Sequence, residues 1–245
     1  MVRTLRIWLR RLLRLAGALA MISVAQVTLL RVVDPPITLT MVERVWDHHA
    51  EDGEWAGVNH RSVRYDAMGP LPRMAVASED AWFWHHNGFD WEALRQAWSY
   101  NQSRAEGAPK RGGSTISQQV ARNVFLWQGR SWLRKAPETW YALWLELLVP
   151  KQRILEVYLN VAELGPMTFG AEAAAQRWYG RPASKLTEEQ AARIAAILPA
   201  PRHRDPNSSA MRKRARNIRQ NQVPFPGEPG FEEMAEGWTE RRRGE

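Results

Sequence analysis

At 245 residues with 44% hydrophobic side chains, the chain has room for one domain of ordinary size plus extensions, and none for a second large catalytic domain. Its formal net charge of +8 points to an anionic partner, which by charge alone could be nucleic acid, an anionic membrane surface or a phosphorylated substrate. The absence of cysteine excludes disulfides, thiolate metal sites and a cysteine nucleophile, and thirteen tryptophans suit a membrane interface, where an apolar ring can keep its N–H wet.

Residues 1–14 carry Arg3, Arg6, Arg10, Arg11 and Arg14, and Leu15 to Leu30 then run without a charge. The arginines predict a cytoplasmic N-terminus by the positive-inside rule. The apolar run continues past the small-residue sites Ala18-Leu19-Ala20 and Ser23-Val24-Ala25, which favours an uncleaved anchor over a signal peptide. Segments 1–33 are therefore expected to be a cytoplasmic basic tip and a transmembrane anchor. Asp34-Pro35-Pro36 opens a linker, 34–59, with a short helix around Met41 to His49. His48, His49 and His60 lack partners at ligand spacing and read as surface residues.

A helix beginning near Pro70 or Leu71 is predicted to reach Glu79. The stretch Glu-Asp-Ala-Trp-Phe-Trp-His-His-Asn-Gly, Glu79 to Gly88, then sets two carboxylates beside Trp82, Phe83 and Trp84. Aromatic bulk desolvates a carboxylate and the helix C-terminus opposes its charge, and both raise its pKa, which makes Glu79 a candidate base. The plainer alternative is a helix end with solvated acids. Adjacent residues on a helix point about 100° apart, so Glu79, Asp80, His85 and His86 do not converge on a metal by themselves.

Asp90 is a plausible N-cap for a helix over Trp91 to Tyr100, whose Trp91, Leu94, Ala97 and Trp98 form a stripe expected to be core. Gln102 to Gly113 reads as a mobile loop. Thr115 with Gln118 has the form of a capping box, whereas Gln119 has no capping role. Gln118, Gln119 and Arg122 are expected to make one face of hydrogen-bond donors, which is what a diphosphate requires. Residues 124–149 mix aromatic and basic side chains, so the chain near Phe125, Trp127, Trp132 and Leu133 either dips into the bilayer or packs in the core. Pro137 is placed in the first turn of the helix that follows.

Lys151 to Gly165 predicts a helix with Ile154, Leu155, Tyr158, Val161 and Ala162 inward, Gly170 to Tyr179 a second ended by Gly180, and Thr187 with Gln190 the cap of a third. Strand signals are nearly absent. The reading is an all-α domain over 60–201, followed by a basic, largely irregular tail over 202–245 that is disordered after about Val223.

Two segments together resemble the bacterial peptidoglycan glycosyltransferases. That family carries Glu-Asp-x-x-Phe-x-x-His-x-Gly, here Glu79, Asp80, Phe83, His86 and Gly88, then Gly-x-Ser-Thr-Ile-x-Gln-Gln-x-x-Lys-Asn, here Gly112 to Asn123 with Arg122 in place of Lys. The likeness extends over Arg134-Lys135-x-x-Glu138, Lys151-x-x-Ile154-Leu155-Glu156-x-Tyr158-Leu159-Asn160 and the Gly170 to Gly180 helix. No Ser-x-x-Lys occurs, so the chain looks like the monofunctional biosynthetic form, without the transpeptidase of the bifunctional penicillin-binding proteins.

The resemblance implies a lysozyme-like glycosyltransferase domain behind one transmembrane helix, in the bacterial inner membrane, single-pass, with the catalytic domain periplasmic. It implies inverting polymerisation of lipid II into linear β-1,4 glycan strands with loss of undecaprenyl diphosphate. Glu79 would be the base and Glu138 the second catalytic glutamate, orienting the basic cluster or a divalent ion. Asp80, Phe83, Ser114, Thr115, Gln118, Gln119, Arg122, Asn123, Arg130 and Lys135 would bind substrate. His86 and Asn123 match motif positions and also read as structural. Arg122 preserves the family's charge and can bind phosphate bidentately, yet is bulkier than Lys. A divalent cation, Mg or Mn, is expected at the diphosphate, with no organic cofactor and no protein-held metal. The implied partners are lipid II, the growing glycan strand, the membrane and other cell-wall synthesis or division proteins, and not nucleic acid.

Three rivals remain at this level. A muramidase would use an aromatic-shielded Glu as acid on an existing glycan, but has no diphosphate for the cationic cluster to hold. A membrane-anchored scaffold would not need Glu79, Gln119, Arg130, Lys135 and Glu138 together. A nucleic-acid binder would need a cytoplasmic domain, against the N-terminal arginines.

Overall fold

The computed structural model describes residues 2–105, 112–129 and 132–243. Among these, eleven α-helices are joined by short connections, and strand is confined to a two-residue parallel pair, β1 (Asn59–His60) with β2 (Thr168–Phe169). The domain is all-α, as its sequence periods predict.

Helix α1 (Val2–Leu29) includes an apolar stretch, Arg6–Leu29, long and apolar enough to cross a membrane. Its 24 residues rise roughly 36 Å at about 1.5 Å each, enough for a hydrocarbon core of about 30 Å. Most of its large side chains, Trp8, Leu12, Leu15 and Met21 among them, are exposed. Its C-terminal end is joined to the domain: Trp140 Nε1 donates to Ser23 Oγ at 2.8 Å, Tyr141 Oη donates to Gln26 Oε1 at 2.9 Å, and Val27 is fully buried.

The segment 34–59, expected as a linker, holds α2 (Leu39–Asp52), longer than the helix predicted there. Thr38 caps it, and it packs on α5 (Ile116–Phe125) through buried Met41 and a Thr40 hydroxyl that donates to the Asn123 carbonyl at 3.1 Å. The three histidines read as unpartnered are also engaged. His48 pairs with Asp52 at 2.8 Å, His49 stacks on Trp55, and His60 Nε2 meets the Asn160 carbonyl at 3.1 Å.

The core is built around α5, which lies between α6 (Trp132–Leu148) and α7 (Lys151–Val161). Ile116, Val120 and Ala121 of α5 meet Ala142 and Leu145 of α6 and Ile154, Leu155 and Tyr158 of α7, all buried. A second layer stacks α3 (Leu71–Glu79) and α10 (Ser209–Gln220) on α9 (Glu188–Ile197), whose Ala191, Ala192, Ala195 and Ala196 let the helices approach closely. Helix α8 (Ala171–Tyr179) ends at left-handed Gly180, and the capping box Thr187/Gln190 starts α9, both as predicted. Glu156 and Asn160 on the flank of α7 hold the approach to α3: Tyr65 N donates to Glu156 and Val63 N to the Asn160 side chain.

Three expectations are corrected. The 202–245 tail is helical rather than irregular, with α10 and α11 (Phe231–Arg243) both formed. Met211, Ala215 and Ile218 of α10 recur at helical spacing against α9 and α3, and burying each large aliphatic side chain is worth about 1.5–3 kcal/mol. Helix α6 begins at Trp132, so Pro137 sits inside it rather than in its first turn. In α4 (Trp91–Gln102), Ala97 is buried but Trp91, Leu94 and Trp98 are 62%, 43% and 64% exposed, so the expected core stripe is a surface.

Candidate active site

Glu79 ends α3, with Asp80 as C-cap, at the floor of a cavity of about 340 Å³ that Ser78, Trp82, Asp90, Gln96, Ser114 and Thr115 also line. Its side chain is half-buried at the cavity, and desolvation pushes its pKa above the ordinary value. Three groups oppose that rise: the Gln119 amide, whose Nε2 donates to Oε2 at 3.2 Å, the positive charge of Arg214, and the Ser78 hydroxyl, 3.4 Å from Oε1. A desolvated carboxylate that keeps hydrogen bonds to its ionised form is poised to take a proton.

Asp80 does a different job from the substrate contact expected of it. It is buried, accepts the Ile116 N–H at 2.8 Å at the start of α5, and holds His86 Nε2 at 2.9 Å. The His86 Nδ1 in turn accepts the Gly88 N–H at 3.0 Å. Gly88 is needed there: its φ is +87°, and a Cβ would lie 2.9 Å from Glu146 Cγ. Phe83 is fully buried, with Lys151 Nζ 4.4 Å from its ring centroid, so its place is in the core and not against substrate.

The capping box of α5 forms as predicted, with the Thr115 hydroxyl also donating to the Gly88 carbonyl at 2.7 Å. The single donor face expected of Gln118, Gln119 and Arg122 does not form. Gln118 is buried in the cap and faces the α4 side, whereas the Gln119 amide is spent on Glu79 and on the Tyr158 hydroxyl, 3.2 Å from its Oε1. Arg122 faces away from Gln118, into a cavity that Gln119 also lines, with a buried Nε that has no partner among the described residues, and burial works to lower its pKa. Asn123 is buried and its Oδ1 accepts from Gln128 Nε2 at 3.1 Å, a structural position.

Next to the Glu79 cavity, and sharing Asp90 and Gly113 with it, is a larger one of about 850 Å³. Phe89, Trp91, Leu94 and Trp98 make one wall, and Arg134 and Lys135 of α6 make the opposite rim. Glu138 fixes both cations one turn along, with Arg134 Nη1 and Lys135 Nζ each 2.5 Å from a different carboxylate oxygen. Glu138 is 1% exposed, so it positions these cations rather than reaching substrate. Arg134 also lines a polar cavity of about 400 Å³ behind α5, with Gln119, Arg122 and Tyr158. Arg130 and the central part of the predicted loop, 106–111, lie outside the described residues.

Sequence reasoning missed three contributors. The inward spacing of Tyr158 marks it as core, yet its hydroxyl also orients Gln119. Arg134, beside Lys135 in the sequence, shares Glu138 with it. Arg214 belongs to the segment read as an irregular tail, and its Nη2 reaches the Ser78 hydroxyl at 3.3 Å. The spacing of Met211, Ala215 and Ile218 was the available signal that α10 is a packed helix.

A desolvated carboxylate that keeps hydrogen bonds, beside a cavity with cations on one side and aromatic rings on another, suits acid–base group transfer on a substrate both anionic and apolar. Residues 49–223 match the transglycosylase family, and the chain belongs to that family. It is 50% identical over 205 residues to a biosynthetic peptidoglycan transglycosylase of Xanthomonas euvesicatoria, covering 83% of this chain and 81% of the relative. Similar proteins of the same description occur in Xanthomonas oryzae, 53% identical over 188 residues (76% and 75%), and Xylella fastidiosa, 45% over 199 residues (80% of each).

Proposed function

We propose that this chain polymerises lipid II into linear β-1,4 glycan strands by inverting transfer, releasing undecaprenyl diphosphate. The observation that carries this reading is the pairing of Glu79, desolvated but hydrogen-bonded, with a neighbouring cavity that has a cationic rim and an aromatic wall. An α-linked diphosphate leaves as the acceptor's 4-hydroxyl attacks from the opposite face, so two groups are needed. One takes the hydroxyl proton, and the other stabilises the departing charge.

Glu79 takes the proton, a contribution of about 10² to 10⁴ in rate for general-base catalysis. Lys135 and Arg134, fixed by Glu138, receive the diphosphate, with Arg122, which shares the cavity behind α5 with Arg134, as a further cation. Trp91, Leu94 and Trp98 carry the first isoprene units of the lipid, and Ser114 and Thr115 lie beside the base where the sugars pass.

The carboxylates fit a protein-held metal poorly. Among the described residues no group of three or more His, Asp or Glu side chains gathers, and both Glu138 oxygens are taken by cations. Mg or Mn serves only as counter-ion to the substrate's diphosphate.

We further infer that α1 anchors the chain in the bacterial inner membrane with its arginines cytoplasmic and the domain periplasmic, next to other cell-wall synthesis or division proteins. The joint between α1 and α6 supports the anchor, because it fixes the apolar helix to the helix that carries Lys135 and Glu138.

Labelled lipid II incubated with the purified chain in detergent, without other wall enzymes, tests the reading by its products on a gel. A ladder of glycan strands is expected. Untouched lipid II together with cleavage of purified peptidoglycan would make the chain a muramidase, and turnover of neither would leave a scaffold.

A further inference from the structure

Residues beyond the matched family region, which ends at 223, cover the turn that follows Glu79. In that turn Phe83 and His86 point inward and are buried, whereas Trp82, Trp84 and His85 are only half-buried on its outer side. Each of the three outer rings meets a ring from the C-terminal segment. Trp84 meets Phe225 edge-on at 4.9 Å, His85 meets Phe231 at 4.6 Å, and Trp82 meets Trp238 of α11 at 5.5 Å between centroids.

The segment is tied down as well as stacked. Arg73 of α3 donates to the Val223 carbonyl at 3.0 Å, pairs with Glu228 and lies 4.5 Å over the Phe225 ring. Glu228 also accepts the Phe225 N–H at 2.8 Å, which fixes the bend between α10 and α11. Trp238 is 7% exposed although it lies a few residues from the chain's end. Trp82 has a second side: it forms part of the wall of the cavity around Glu79.

We infer that Trp238 is a positioning residue for the transfer reaction: its ring backs Trp82 and thereby sets the wall against which the acceptor sugar meets Glu79. The inference rests on Glu79 being the base. Trp82 lines the Glu79 cavity and not the larger one beside it, so a shift of Trp82 changes the approach of the acceptor hydroxyl more than it changes the hold on the lipid, which is made on the α4 and α6 side. Misplacement of about 1 Å in such a site can cost up to about 10²-fold in rate.

The test is lipid II polymerisation by the full chain in detergent, comparing wild type, Trp238→Ala, Trp238→Phe and Glu79→Gln, with the folded fraction of each measured by circular dichroism. The inference expects W238A to lose roughly tenfold in kcat with KM within about twofold, and W238F to regain most of the rate. A merely structural role would lower the melting temperature and leave kcat per folded molecule within about twofold, and that result would overturn the inference. Should W238A fail to fold, Trp238→Leu, apolar but without a ring to back Trp82, carries the same expectation. Inactive E79Q with an unaffected W238A would reject the positioning role alone, whereas wild-type rate in E79Q would reject the base and this inference with it.

Discussion

Gln119 holds Glu79 by a hydrogen bond of 3.2 Å from Nε2 to Oε2, and Tyr158 holds Gln119 by another of 3.2 Å to its Oε1. Burial and the neighbouring Glu79 push the Tyr158 hydroxyl well above its ordinary pKa, so it stays a donor and keeps the amide's NH₂ turned towards the base. Sequence, packing and chemistry meet here: α7 buries Tyr158, α5 carries Gln119, and α3 ends on Glu79.

The pH dependence follows with a definite sign. Burial raises the Glu79 pKa, so its base form is lost as pH falls through a value above 4.5, and the acidic limb of kcat/KM lies above that of a solvated glutamate. Gln119 and Arg214 both lower that pKa. Gln119→Ala and Arg214→Ala are therefore expected to move the limb to higher pH, and Q119A to lose roughly tenfold or more at neutral pH, since a hydrogen bond to a charged group is worth about 1.5–3 kcal/mol. A pH–rate profile of each variant checks this.

Stability should respond in the opposite direction. The folded state binds the Glu79 proton more tightly than the unfolded chain, so the ionised group costs stability at neutral pH, and the cost is relieved as pH falls through the folded pKa. Glu79→Gln removes the buried charge while keeping its shape. It is expected to be inactive and more stable by about 1 kcal/mol, or roughly 2–4 °C in melting temperature at this chain length. Thermal unfolding followed by circular dichroism reads the shift.

Glu138 joins two cations in a position closed to solvent. Removing one member of a buried ion group leaves uncompensated charge and costs about 3–5 kcal/mol, reduced here towards the lower figure because the Lys135 side chain is 35% exposed. Glu138→Ala should therefore lower the midpoint of denaturant unfolding and lose polymerisation together. Lys135→Ala should lose polymerisation with a smaller fall in that midpoint, because Arg134 still pairs with Glu138.

Trp91 and Trp98 are exposed on α4, so their loss leaves the fold almost untouched. Trp91→Ala and Trp98→Ala are expected to raise KM for lipid II several-fold, with kcat and melting temperature nearly unchanged, because each contributes binding in ground and transition state alike. Steady-state kinetics against lipid II of full and shortened lipid length checks both variants, and the effect should fade with the shorter lipid.

Local signals in the sequence predicted local structure well. The Asp90 cap, the capping boxes at Thr115 and Thr187, Gly180 and the inward face of α7 all follow from a few neighbouring residues. What failed depended on partners far along the chain. The period of Trp91, Leu94 and Trp98 shows that they share a face, but not whether protein or something else covers it. Helix α10 has only Met211, Ala215 and Ile218 among many basic residues, and its burial is supplied by α9 and α3. Likewise the motif identifies Gln118 and Gln119 as a pair, whereas only the fold sends one to the helix cap and the other to the base.

The most direct measurement is the initial rate of glycan formation from lipid II by Glu79→Gln beside wild type, at saturating substrate. Glu79 as base predicts a loss of at least about 10²-fold in kcat with substrate binding retained. A rate within about tenfold of wild type would fall short of general-base catalysis and would contradict the assignment.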